Sequence, residues 1–443
     1  MLALAVAAMP ALCNAEAAGR DQRKPAAPVT DANPPSSAPT STVETLTLNK
    51  CIETALKKNP GIVAAGYAVS ISGSKVGEAR SGYYPQLSAS AAYSRINPAP
   101  GSAAAAGGSA FDQYTGSMTL NQNILDFGKT SSQVNISKFN LDASRSDLNT
   151  AQDTVILNVK QAYYGVLQAR RNRDVAADVL KQFQLHVDQA KGFYDVGTKA
   201  KIDVIKAEVD LSNAKLSLIK AENALKIAWV VLNNVMGVPD APENAMEDNL
   251  SFQKYPVTLE EATKRAMEFR PDLRSIEAKK LASSESIGLA RSGFFPVLSG
   301  VASANWTSET PSRIERAWSA GVVLTVPLFS GFLTSHQVAE ARSGLYAVQA
   351  SEEALRQQVL LDVRQAYLNL QAADASIATA ELAASQAREN MDLANGRYTA
   401  GVGSPIEVSD AFATYVTAQA NYTNALYTYK IAQANIEKAV GAR

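Results

Sequence analysis

The side chains that could do chemistry are few and scattered. His186 and His336 are the only histidines and Cys13 and Cys51 the only cysteines in 443 residues. That supply is too thin for a zinc, haem or iron–sulfur centre, so no metal and no cofactor are expected. No GxSxG, Ser/His/Asp or Cys/His arrangement and no P-loop occurs, which argues against an enzyme, a secreted hydrolase included. What remains is carboxylate. Asp203, Glu407 and Asp410 each follow a Tyr-x-x-Gly turn. Asp203 lies in the first turn of a helix, where the dipole favours an anion. Ser404-Pro405-Ile406-Glu407 reads as a capping box with proline at the first helical position. Asp410, three residues beyond Glu407, shares its helix face. Lysine plus arginine total 42, as do aspartate plus glutamate; with no net field, nucleic acid is not an expected partner.

The elements that position these acids come in a tandem repeat. Arg80-Ser81-Gly82-Tyr83-Tyr84-Pro85 matches Arg291-Ser292-Gly293-Phe294-Phe295-Pro296, and Pro60 matches Pro271, at an offset of 211. Gln161-Ala162-Tyr163 matches Gln365-Ala366-Tyr367, Tyr194 and Gly197 match Tyr398 and Gly401, and Gly237 matches Gly441, all at 204. One net deletion of seven residues, placed between about 86 and 120 where a loop can absorb it, separates two collinear halves. The halves span 46–239 and 257–441, joined by a linker at 240–256. Each predicts a helical opening (48–81; 259–292), two alternating segments, a very long helix (128–195; 332–398) and a return helix (201–236; 405–440). The long helices carry no proline and would extend about 100 Å each, so they must lie against neighbours as coiled-coil hairpins. Gly197 and Gly401 read as helix C-terminal glycines, and Val196 and Val402 as apolar residues at turns. Cys51, on an amphipathic helix, reads as a small buried apolar residue.

The alternating segments read as strands. Leu87, Ala89, Ala91 and Tyr93 oppose Gln86, Ser88 and Ser90; Leu298, Gly300, Ala302 and Ala304 oppose Ser299, Val301 and Ser303; Trp318, Ala320, Val322, Leu324 and Val326 oppose Ser319, Gly321 and Thr325. An apolar row against a small or polar row, bracketed by aromatics, is the pattern of a transmembrane β-strand. No apolar run beyond the N-terminus reaches the roughly 18 residues of a spanning helix, so insertion must be β. Four strands cannot close a barrel, and an open edge cannot sit in lipid. Three chains give twelve strands and room for a wet lumen. The expected fold is mainly α with a β-barrel portion: long hairpins plus four transmembrane strands per chain, trimerising into a barrel and helical tunnel.

Residues 1–18 read as a signal peptide with Ala15-Glu16-Ala17 as cleavage site. The usual positive n-region is missing, which leaves room for a start upstream of Met1, and Leu12 before Cys13 argues against lipidation. Residues 19–45, rich in Pro, Ala, Ser and Thr, read as a disordered lead-in.

The two halves, their Leu48–Pro60 and Leu259–Pro271 openings, the Arg-Ser-Gly-aromatic-aromatic-Pro junctions, Leu-Thr-Val-Pro-Leu-Phe-Ser-Gly at 324–331 and Tyr-x-x-Gly before each return helix resemble the TolC-like outer-membrane efflux proteins. The resemblance covers about 46–441. It implies a homotrimeric outer-membrane conduit of a tripartite efflux or type I secretion system, with its helices in the periplasm. A periplasmic adaptor and an inner-membrane pump would be its partners, beside outer-membrane lipid. It further implies adaptor contact at Tyr194, Val196, Gly197, Thr198, Tyr398, Gly401 and Val402, and a periplasmic gate at Asp203, Glu407 and Asp410. Two positions depart from the family pattern. Asn123 replaces the proline matched by Pro327, and Gly403 stands where a basic residue often precedes the gate acids, leaving Lys199 and Lys201 as the nearest cations. The rival reading is a soluble periplasmic coiled-coil scaffold, which accounts for the helices but not for the leader or the strands.

Overall fold

The computed structural model describes residues 45–97, 110–310 and 313–442. The expected leader, Cys13 and nearly all of the lead-in lie outside them. The first half contains α1 (Leu48–Lys58), α2 (Pro60–Arg80), β1 (Gln86–Ile96), β2 (Phe111–Leu125), α3 (Lys129–Asp195) and α4 (Lys201–Met236). The second repeats the order as α5 (Leu259–Phe269), α6 (Pro271–Ser292), β3 (Val297–Thr310), β4 (Arg313–Thr325), α7 (Leu333–Thr399) and α8 (Pro405–Ala439). Residues 97–110 connect β1 to β2, whereas only 311–312 connect β3 to β4, so the length difference between halves falls in the strand connections.

Each helical opening is two helices rather than the single one expected. Asn59 and Arg270 are extended, with ψ of 123° and 126°, because a following proline ring crowds the helical conformation of the residue before it. The break has a use. Asn59 Nδ2 donates to the Val235 carbonyl at 2.8 Å, at the last turn of α4. Gly237, which caps α4 at φ +73°, lies so close that an added β-carbon would sit 2.5 Å from the Lys58 carbonyl oxygen. Thus α4 ends against the junction of α1 and α2, and α2 and α4 both run along α3. Gly441 repeats the joint against Phe269 and Arg270, where a β-carbon would meet backbone at 2.9 Å. The helix α3, 67 residues and about 100 Å long, also packs along α6 and α8 of the other half.

The strands form one antiparallel sheet in the order β1-β2-β3-β4. Its register brings the separate apolar rows onto a single face: Ala89 pairs Met118, Met118 pairs Ala304, and Ala304 pairs Trp318. The opposite face carries hydroxyls, with Ser90 bonded to Ser117 at 2.8 Å and Ser303 to Ser319 at 3.0 Å. Asn123 lies within β2, which runs on to Leu125, while β4 ends at Thr325 before Pro327, as expected of a residue that has no N–H for the ladder.

The main core gathers α1, α5, the middles of α3 and α7 and the ends of α4 and α8 around Cys51, Tyr163, Leu167, Leu232, Tyr429 and Ile436. Cys51 is enclosed, and burial pushes its thiol up to about 11, so it stays a protonated apolar group. The segment 240–256 is packed rather than loosely joining the halves. Leu46 N–H donates to Ala245 O at 2.7 Å, Leu250 enters the core, and the Tyr163 hydroxyl donates to Glu247 O at 2.8 Å. Tyr429 Oη donates to Gln253 O and accepts from Tyr255 N–H, both at 2.8 Å.

Candidate functional site

The ends of α3 and α7 farthest from the sheet turn into α4 and α8 through the same backbone device. Thr198 N–H donates to Phe193 O at 3.0 Å and Gly197 N–H to Tyr194 O at 2.9 Å; Val402 N–H donates to Arg397 O and Gly401 N–H to Tyr398 O, both at 3.0 Å. These are Schellman closures, with Gly197 and Gly401 at φ +75° and +77°. The Thr198 hydroxyl adds a bond to Phe193 O at 2.9 Å. The closures use main chain, so the side chains between them are spare. Val196 and Val402 are 71% and 70% exposed, beside Ile202 and Ile406, which are also exposed. Apolar groups in that position have no internal partner.

The sequence pairs Tyr194 with Tyr398 as tip residues, but the structure separates them. Tyr194 is exposed, whereas Tyr398 is fully buried, so its side chain is not on the tip surface. A small core encloses it: Val179, Phe183, Val187 and Ala190 of α3, Ala207 and Leu211 of α4, and Val408 and Phe412 of α8. Its ring centroid lies 4.6 Å from that of His186 and 5.8 Å from that of Phe193. Burial, with the charge of Asp203 adding to it, raises the Tyr398 pKa above the usual phenol value. The two hairpins therefore meet around Tyr398 at the turn end.

The three acids stand at the starts of the return helices: Asp203 is half-buried, and Glu407 and Asp410 are exposed. The expected capping box is half formed. The Ser404 hydroxyl accepts from Ile406 N–H at 3.2 Å, but the Glu407 carboxylate turns to Arg397, with Nε 3.5 Å from Oε2. Arg397, four residues before Gly401, thus supplies the cation that Gly403 lacks. Of the lysines expected in that part, Lys199 instead places its ammonium 5.6 Å from the Tyr398 ring centroid. Gly403 is glycine for a steric reason: its N–H donates to Arg397 O at 2.9 Å, and a β-carbon there would lie 2.7 Å from the Tyr398 nitrogen. Gly403→Ala is expected to destabilise the turn by about 1–3 kcal/mol, as overpacking does, measured as faster proteolytic cleavage between Asn395 and Ile406 with the rest of the chain intact. Unchanged cleavage would show that the backbone yields without cost.

Among the described residues no group of three His, Cys, Asp or Glu side chains could hold a metal ion, and no helix is long and apolar enough to cross a membrane.

Paired helical hairpins joined to a sheet with one apolar face are the architecture of an outer-membrane channel protein. The family model for outer membrane efflux proteins matches residues 51–238 and 262–442. The chain belongs to the outer membrane efflux protein family. It is 26% identical over 385 residues to the outer membrane protein TolC of Escherichia coli (strain K12), covering 83% of this chain and 76% of TolC. The fold matches a crystal structure of CusC with a TM-score of 0.78 at 17% identity, over 89% of this chain and 92% of that one. It also matches the Campylobacter jejuni CmeC outer membrane channel with a TM-score of 0.75 at 19% identity, over 94% of each chain. The soluble-scaffold reading finds no support in these relationships.

Proposed function

We propose that three copies of this chain form a passive conduit through the outer membrane, the outermost part of a tripartite efflux or type I secretion assembly, without enzymatic activity of its own. The observation that carries this reading is the sheet. It has one apolar and one hydroxyl-lined face, and its edge strands β1 and β4 lack an outer partner among the described residues. An apolar face suits lipid, but unpaired edges do not, since each unsatisfied amide or carbonyl in hydrocarbon costs several kcal/mol. Pairing β4 of one copy with β1 of the next removes both edges, and three copies give a twelve-stranded barrel with a hydroxyl lumen. Exposed apolar residues on α4 support the same assembly. Ile202, Ile205, Val209, Leu216 and Ile219 recur at intervals of three, four and seven, the spacing of a helix–helix seam.

In such a trimer the turns mark the periplasmic mouth. Val196, Val402, Tyr194 and the flanking Gly197, Thr198 and Gly401 form the adaptor-contact surface, while Asp203, Glu407 and Asp410 form rings of three that gate the mouth. An inner-membrane pump supplies the energy. The purified protein is expected to need detergent, to run as a trimer and to show strand beside dominant helix in circular dichroism. A detergent-free monomer would overturn the reading.

A further inference from the structure

Near the turn end, three buried polar atoms on α3 and α7 lie without a hydrogen-bond partner: His186 Nδ1, Gln189 Oε1 and Tyr398 Oη. Gln189 follows His186 by three residues, so both project from one face of α3. His186 is 3% exposed and its ring lies against Tyr398, which joins α3 of one hairpin to α7 of the other. A neutral imidazole packs there at the cost of one unbonded nitrogen, less than the cost of a charge. A charged one would be buried with no group bonded to it, and a buried unpaired charge is strongly disfavoured.

The surrounding charges do not remove that difficulty. On α4, Asp203 and Asp210 act on the imidazole through their charge, while Glu208 is taken up by Lys191 of α3 at 2.9 Å. Arg397 of α7 is engaged by Glu407 of α8. Asp410 is exposed at the start of α8, whose buried contributions here, Val408 and Phe412, are apolar. Lys199 of the first turn sits over the Tyr398 ring.

We propose that His186 is an acid-sensitive latch: neutral, it holds the α7/α8 hairpin against the α3/α4 hairpin at the turn end, and protonated, it releases them. The latch rests on the reading of these turns as the mouth of a channel. Burial lowers the His186 pKa, against the opposing charges of Asp210 and Asp203. The stabilisation from the neutral ring is then complete above the ordinary imidazole value of about 6.5 and is lost as pH falls from there through the lowered value.

Amide hydrogen exchange of the full-length protein in detergent, corrected for intrinsic rates, tests this without requiring conduction. Between about pH 7.5 and about pH 5, exchange over 183–190 and 395–412 is expected to rise about tenfold in the wild type and no more than about twofold in His186→Phe, which keeps an aromatic ring but cannot titrate. Asp210→Asn leaves the apolar core untouched and should move the midpoint to lower pH. An equal acid response in His186→Phe, no response in the wild type, or an unmoved midpoint in Asp210→Asn would each overturn the latch. A His186-dependent response in a protein that forms no pore would support the latch and sink the channel reading alone.

Discussion

An aspartate at Val196 or Val402 is expected to abolish export while trimer yield and outer-membrane insertion remain at wild-type levels. The two valines are exposed at the turn tips, and the turns close through main-chain bonds that no side chain at either position makes. A substitution there therefore leaves folding alone. It places a charge where an adaptor would bury an apolar contact, and truncating or charging one central contact of that kind commonly costs about 2 kcal/mol or more, roughly thirtyfold in affinity. Three protomers multiply the loss. Crosslinking to the adaptor and an export assay read the result, and normal crosslinking with normal export would remove the tips from the contact surface.

Replacing Glu407 and Asp410 together with alanine should lower the cation preference of single channels in planar bilayers and change their conductance. Each chain loses two carboxylates, so a trimer loses six negative charges (2 × 3) at one constriction. The Glu407 change also leaves Arg397 without its partner, adding three uncompensated positive charges to the same mouth. Rings of fixed charge decide which ion enters a pore, so the permeability ratio should move toward anions. A capping role alone makes a different prediction. Ser404→Ala, which removes the hydroxyl bonded to Ile406 N–H, should cost about 0.5–2 kcal/mol of stability without altering selectivity. Unaltered selectivity and conductance in the double variant would take these acids out of the gate.

The long elements were legible because their signals are local and repeated. Return helix 201–236 and the turn glycines follow directly from periodicity and C-terminal glycine, and the three alternating rows share one face because register follows pattern. Pro60 and Pro271 were visible as a matched pair, yet their effect on the preceding residue splits each opening into two helices. The site was legible only in part. Repeat symmetry gives Tyr194 and Tyr398 the same exposure, but the packing of α3 against the second hairpin places His186 on one of them only, and no local pattern reports a neighbour more than 200 residues away. His186 does fall within the apolar stripe of Val179, Phe183 and Ala190, which marks it as an interior residue. The cation beside Glu407, Arg397, precedes its turn rather than following it as Lys199 and Lys201 do, because the last turn of a helix also faces the helix that returns along it.

The packing between halves bears on when this chain can fold. Lys160 of α3 pairs with Glu437 of α8, 277 residues later, at 2.5 Å, and Asn59 waits for Val235, 176 residues on. Contacts of such separation make folding slow, because the loop must close before the contact rewards it. The shared core of the first half is therefore complete only when the second half, α8 included, has been made. Loss of the last turn of α8 would be felt in both halves, through Glu437 on Lys160 of α3 and through Gly441 on Phe269 and Arg270.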